Sequence, residues 1–266
     1  MTRRCILPVL VALLVASQLV AGANVYVARR SHAPTAAAGA AAPVAQYFWP
    51  MNSYPTNGVS DSSGNSYTGT FFKSSAYYSC WFTNHPSVLP VGSYRVGGIY
   101  QITNYFQGMN FTSSFSMSIW TKIPAASAGA AIAIMAKDYY NVGANSYEIV
   151  FRNDQTTKPR VLIGTPGGYS IVLGDIVVAD DAWHHLAATR DMAAGVTELY
   201  QDGLFQGSNV LAGGNVSNIY PFRIGGIDYP GYNITEEKIA GVRFYAGLVS
   251  SNAWYDHVTT GAEPTN

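Results

Sequence analysis

The amino-acid sequence predicts an all-β fold, an antiparallel β-sandwich of jelly-roll type behind an N-terminal hydrophobic targeting helix. The first ground is the run WHHLAATR at residues 183–190. Its alternation puts Leu186 and Ala188 on one face of a half-buried strand and His185 and Thr189 on the other. The second ground is the segment just beyond that strand. Residues 196–201 read as another strand, and Asp202-Gly203 can supply the two positive-φ positions of a tight hairpin before Leu204, Phe205 and Gln206. The third is composition: 26 glycines and only 11% charged residues, against roughly 25% in ordinary domains. Such a surface is covered by Ser, Thr, Asn, Gln, Tyr and backbone, as in many exported β-proteins.

Residues 1–28 form a targeting segment. Arg3 and Arg4 precede an apolar run over 6–16, and Ala21-Gly22-Ala23 fits the small-x-small rule for cleavage before Asn24. Residues 6–28 together also match a bilayer crossing of about 20 residues, and Arg29-Arg30 add a second charged flank. Signal peptide and signal anchor therefore both stay open. Either reading exports the domain, so it is expected to be secreted or membrane-anchored outside the cytosol, touching membrane only through an uncleaved N-terminus. Residues 29–45 are an Ala/Pro-rich linker. Residues 46–260 are expected to fold as one domain, with no helical periodicity, repeat or second linker.

Within that domain the strands come in short alternating pieces. Phe115, Met117 and Ile119 alternate with Ser116, Ser118 and Trp120, giving one apolar and one mixed face. Residues 132–135 are an apolar run, and Tyr147, Ile149 and Phe151 alternate with Glu148, Val150 and Arg152. Residues 161–163 and 171–173 flank a turn-rich segment at 164–168; residues 222–224 and 239–245 are late strands. Formal net charge is 0, and removing Arg3 and Arg4 with a leader leaves 13 basic against 15 acidic residues. No Lys/Arg cluster exists to attract a polyanion, which excludes a nucleic-acid partner. Cys80 is the one thiol beyond Cys5 of the targeting segment, so no internal disulfide survives cleavage. The sequons at Asn110, Asn215 and Asn233 permit glycosylation without indicating it.

These landmarks resemble the laminin-G-like branch of the concanavalin A-like lectin/glucanase superfamily. The WHHLAATR strand and the LYQDG hairpin at 199–203 carry most of the likeness. Others fall in the same order: DSSGN at 61–65 before TGT at 68–70, SFSMSIWTK at 114–122, RIG at 223–225 and the closing strand at 239–245. The resemblance implies the concanavalin A-like jelly roll. It also raises a structural Ca²⁺, for which Asp61 and Asn65 are the weak ligand candidates. No other cofactor is expected. The closing strand has Ala240-Gly241 where the family usually carries an acidic pair, and Asp61 to Asn65 also suits a turn.

The superfamily's glucanases place carboxylates on one strand so that acid and nucleophile lie about 5 Å apart. No such triplet occurs, and Glu148 and Asp154 are separated by Arg152. His184 and His185, as strand neighbours, point to opposite faces and cannot chelate one ion; one packed and one exposed ring is expected. There is no Gly-x-Ser-x-Gly elbow, and Cys80 lacks a partnered His. The expectation is thus a non-catalytic extracellular binding module, with carbohydrate on a cell surface or matrix as the ligand. The alternative is a protein–protein adhesion or structural module of the same fold, and a glycoside hydrolase ranks last. Ligand contacts are assigned to two Gly-bearing loops that set Tyr beside Asp or Asn. These are Asp138, Tyr139, Tyr140, Asn141 and Asn145, and Asp228, Tyr229, Tyr232 and Asn233.

Overall fold

The computed structural model describes residues 45–49, 58–59, 62–64, 69–74, 80–82, 93–95, 98–102, 110–127, 132–137, 147–152, 157–218, 220–225 and 237–264. Residues 1–28, expected to be a targeting segment with an N-terminal helix, lie outside these residues, as does all but the end of the expected linker.

The described chain is two antiparallel sheets. The first half contributes β1 (Ala45–Trp49), β2 (Gly58–Val59), β3 (Gly69–Ser74), β4 (Cys80–Phe82), β5 (Ser93–Arg95) and β6 (Gly98–Ile102). The centre contributes β7 (Phe115–Lys122), β8 (Ile132–Lys137), β9 (Tyr147–Arg152), β10 (Lys158–Thr165) and β11 (Gly168–Leu173). The last third holds β12 (Trp183–Asp191), β13 (Val196–Gln201), β14 (Leu204–Val210), β15 (Phe222–Ile224), β16 (Lys238–Ala246) and one helix, α1 (Ser251–Thr260). One sheet runs β14-β13-β12-β7-β16-β5-β4, with β1 also on β16; the other runs β11-β10-β9-β8-β15-β6-β3-β2. Sequence neighbours such as β7 and β8 lie in different sheets, which is the sandwich the alternation implied.

The inner faces bury the expected rows. Phe115, Met117, Ile119, Leu186, Ala188 and Leu199 meet Ile134, Met135, Val161, Ile163, Val172, Phe222 and Ile224 in one cluster. Large side chains truncated to alanine in such a cluster cost about 2–5 kcal/mol each. β16 enters it by a change of step. Simple alternation from Ile239 would bring Gly241 and Arg243 inward, but a bulge lies between Ala240 and Arg243, with Gly241 at φ +54°. The extra residue swaps faces, so Val242 and Phe244 join Ile239 in the core and Arg243 and Tyr245 turn outward.

The outer face of the β7 sheet departs from expectation. Ser116, Ser118 and Trp120 are buried, because residues 247–264 fold across them. Ser116 Oγ donates to the Gly247 carbonyl at 2.9 Å and accepts from Val249 N at 3.0 Å. The helix has no clear signature in the sequence. Its buried side chains are Ala253, Trp254 and His257, too few for a clear apolar stripe. Its ends are legible: Ser250 Oγ accepts from Ala253 N, and Gly261, at φ +76°, donates its N–H to the His257 carbonyl. Trp254 is fully buried among Ala187, Tyr200, Tyr245 and Val249.

The Asp202-Gly203 hairpin forms as expected, at φ +52° and +76°. Gly203 does more than turn. A Cβ there would meet Tyr255 Cα of the helix at 2.6 Å and Tyr255 N at 3.0 Å. Both are backbone atoms, which cannot swing aside. Gly203→Ala is therefore expected to cost at least about 2 kcal/mol, read as a lower urea midpoint at an unchanged m-value.

Candidate ligand-binding site

All nine ligand-contact candidates, Asp138, Tyr139, Tyr140, Asn141, Asn145, Asp228, Tyr229, Tyr232 and Asn233, lie outside the described residues. What the fold fixes is where their segments begin. β8 and β15 are antiparallel neighbours, with Arg223 opposite Ala136 and Ile224 opposite Met135. One segment starts after Lys137 and the other after Gly225, whose N–H donates to Ile134 O at 2.8 Å. They leave opposite ends of that ladder.

The first departure point is firmly anchored. Lys137 is fully buried, and its Nζ donates to Asn110 Oδ1 at 2.7 Å, Asn218 O at 2.6 Å and Asn218 Oδ1 at 2.9 Å. Burial brings its ammonium down from 10.5 to about 8. Asn218 Nδ2 returns a bond to Lys137 O at 2.7 Å. This cage also bears on the sequons. Asn110 Oδ1 accepts from both Lys137 and Asn218 N, so its amide is part of the framework. Asn215 is exposed, and Asn233 lies outside the described residues.

At the other end of the core the two histidines take separate faces, but neither is exposed: His184 is 9% and His185 0% accessible. The expectation of one exposed ring is corrected by two devices. His184 Nδ1 sits 2.8 Å from Asp202 Oδ2, and its Nε2 sits 3.0 Å from Asp180 Oδ1. Burial alone would depress its pKa; the hydrogen bonds and charges of Asp202 and then Asp180 outweigh burial and raise it. Partial burial pushes the Asp180 carboxyl up, but the Ala182 N–H and His184 overcome it and leave the carboxyl lowered. His185 points the other way, under α1. Its ring centroid lies 5.1 Å from Trp120 and 5.6 Å from Trp254.

Several carboxylates of the described sandwich are held by neighbours. Glu198 Oε2 accepts from Thr189 Oγ1 at 3.0 Å and Tyr200 OH at 2.6 Å. Glu263 takes a two-pronged grip from Arg243 at 2.7 and 3.2 Å. Glu237 accepts from Thr121, and Asp180 and Asp202 flank His184. Asp61 and Asn65, the Ca²⁺ candidates, are outside the described residues, and among the described residues no three His, Cys, Asp or Glu side chains could hold a metal. At the closing strand the Gly241 carbonyl accepts from Arg243 Nη1 at 3.2 Å.

One surface feature escaped sequence reasoning. On β11, Tyr169, Ile171 and Leu173 are 48%, 37% and 55% exposed, while Ser170 and Val172 between them are buried. The alternation is visible in GYSIVL, but both faces carry an apolar residue, so the sequence does not say which faces out.

A family model described as the concanavalin A-like lectin/glucanases superfamily matches residues 97–263. No curated protein matches the chain at a significant level. Among solved structures, the binding domain of Paraclostridial Mosquitocidal Protein 1 is similar at TM-score 0.62 and 12% identity, covering 83% of this chain and 52% of that one. Domain 4 of AbnA, a GH43 extracellular arabinanase from Geobacillus stearothermophilus solved with arabinotriose, is similar at 0.61 and 16%, covering 82% and 100%. The botulinum neurotoxin serotype D ligand binding domain, solved with N-acetylneuraminic acid, is similar at 0.54 and 15%, covering 78% and 48%. The chain spans about half the length of the toxin domains it matches.

Glu237, inside the matched region, is fully buried, and burial lifts its carboxyl from 4.5 to about 8 against the pull of Thr121. Near neutrality the folded chain keeps this proton while the unfolded chain sheds it. Its contribution is thus full below pH 4.5 and is lost as pH rises toward about 8. Glu237→Gln, a neutral isostere that can still accept from Thr121, is expected to raise stability by a few kcal/mol at pH 8. The gain should fade as the pH approaches 4.5, as read by chemical denaturation across that range.

Proposed function

Because this chain belongs to the concanavalin A-like lectin/glucanases superfamily, we propose that it is a non-catalytic binding module for carbohydrate on a cell surface or matrix, displayed outside the cytosol. The observation that carries this reading is the likeness across 82% of the chain to an entire arabinanase domain solved with arabinotriose. A second similar domain was solved with N-acetylneuraminic acid. Among the described residues, Glu198, Glu263, Asp180 and Asp202 are bonded to Thr, Tyr, Arg and His partners, and the sequence carries no carboxylate triplet of the glucanase kind.

Recognition is assigned to the Tyr, Asn and Asp residues of 138–145 and 228–233. Ring faces would stack on sugar C–H surfaces while amides and carboxylates bond hydroxyls. A protein ligand is the second reading, favoured by the exposed β11 row of Tyr169, Ile171 and Leu173. On a glycan array probed with and without a chelator, the full chain is expected to retain at least one glycan class. Tyr139→Ala with Tyr140→Ala, or Tyr229→Ala with Tyr232→Ala, should cut retention at least about tenfold. Blank arrays in both conditions, with capture of a protein ligand lost in Leu173→Asp, would replace the first reading by the second.

A further inference from the structure

The space beneath α1 holds two imidazoles that have no acceptor for a second proton among the described residues. His185 and His257 are both fully buried, with ring centroids 5.1 Å apart. His257 Nδ1 lies 2.7 Å from the Ala262 carbonyl and must donate to it, which makes Nε2 the unprotonated nitrogen of a neutral ring. That Nε2, and both ring nitrogens of His185, find no hydrogen-bond partner among the described residues. Trp120 and Trp254 pack against His185, and Trp183 packs against the Trp120 cluster; the three indole nitrogens are likewise buried and unbonded among those residues.

The charges facing this space do not welcome a cation. From β16 comes the Arg243 guanidinium, stacked on Phe48 at 4.1 Å and gripped by Glu263 of the tail. Tyr245, also from β16, donates to the same Glu263 at 3.3 Å. Glu198, from β13, is occupied by Thr189 and Tyr200. α1 adds only His257 itself, since its Asp256 is exposed. His184, from the same strand as His185, lies on the opposite face between its two aspartates.

We propose that His185 and His257 form an acid-operated latch: protonation of the pair releases α1 from the sheet and uncovers the Trp120 face. Burial first, then the neighbouring His257 and Arg243, hold His185 well below its ordinary 6.5; burial and Arg243 lower His257 as well. Both rings therefore stabilise the closed helix above pH 6.5 and withdraw that support below it, because only the open state accepts the proton. His184 works the other way, since its raised pKa favours the folded strand as pH falls. Release is thus confined to the helix and tail.

The test is hydrogen exchange on the full chain between about pH 7.5 and about pH 5, above the ordinary carboxylate range; the exception, Glu237, lifted to about 8 by burial, stabilises the fold as pH falls and so opposes the expected release. At about pH 5, His185, held well below its ordinary value, is expected to raise the opening equilibrium about thirtyfold, and His257 to add to that rise. After division by intrinsic exchange rates, protection over residues 251–260 should fall by that factor or more, while residues 183–191 stay protected. His257→Leu should retain only the single-histidine change, and His185→Phe with His257→Leu should abolish it. Helix protection that is flat across this range, or the same acid response in the double variant, overturns the proposal. Should the double variant not fold, His257→Leu decides alone: a response smaller than that of the natural chain supports the latch, and an equal one overturns it.

Discussion

The Asp202-Gly203 turn is the constraint on which the described structure most depends. Both residues sit in the left-handed region, where only a few side chains are comfortable, and each uses that position to bind something distant. Asp202 commits its two carboxylate oxygens to β12: Oδ1 accepts from His185 N at 2.8 Å and Oδ2 holds the His184 ring. Its own N–H donates to the His185 carbonyl at 2.8 Å. Gly203 lets the helix backbone approach where any side chain would collide. The turn thus sets the β12–β13 register, fixes one histidine and seats α1 over the other. Arg190 performs a similar service at the far end of β12, donating to Gly195 O at 2.8 Å and Leu211 O at 2.8 Å.

From that register comes an unusual distribution of polar groups. A sandwich with one wet face on each sheet would leave Ser116, Ser118, His185 and Thr189 in solvent. Here the C-terminal segment makes them interior, where a polar group left unbonded carries a free-energy cost. Ser116, Thr189, Glu198 and Arg243 are bonded; Ser118 Oγ, both His185 nitrogens, His257 Nε2 and the indole nitrogens have no hydrogen-bond partner among the described residues, and the rings are held by packing alone. Stability and responsiveness come from the same layer. Packing Trp254 contributes about 2–3 kcal/mol, and the neutral rings beside it make that contribution conditional on pH.

The same framework bears on binding. Loops on a rigid sandwich can vary in sequence without disturbing the core, and the cage of Lys137, Asn110 and Asn218 gives one candidate loop a fixed point of departure. Because β8 and β15 run antiparallel, the two tyrosine-bearing segments start from opposite ends of their ladder. Residue types alone group them only by chemistry.

The sequence by itself determined the sandwich. Alternation at 115–120 and 183–190 needs nothing beyond the period of an extended chain, and Asp-Gly between strands dictates its own turn. The family landmarks were equally legible, since they are these same local patterns in a fixed order. What only the tertiary structure decided were matters of cover and convergence. The bulge at Gly241 changed which residues of β16 face inward; the helix was carried by three buried side chains and two caps; and the polar face of β7 and β12 became interior only once residues 247–264 lay across it. The physical reason is that periodicity reports which side of a strand a residue takes. Whether that side meets water, a helix or a second imidazole depends on chain that arrives from far along the sequence.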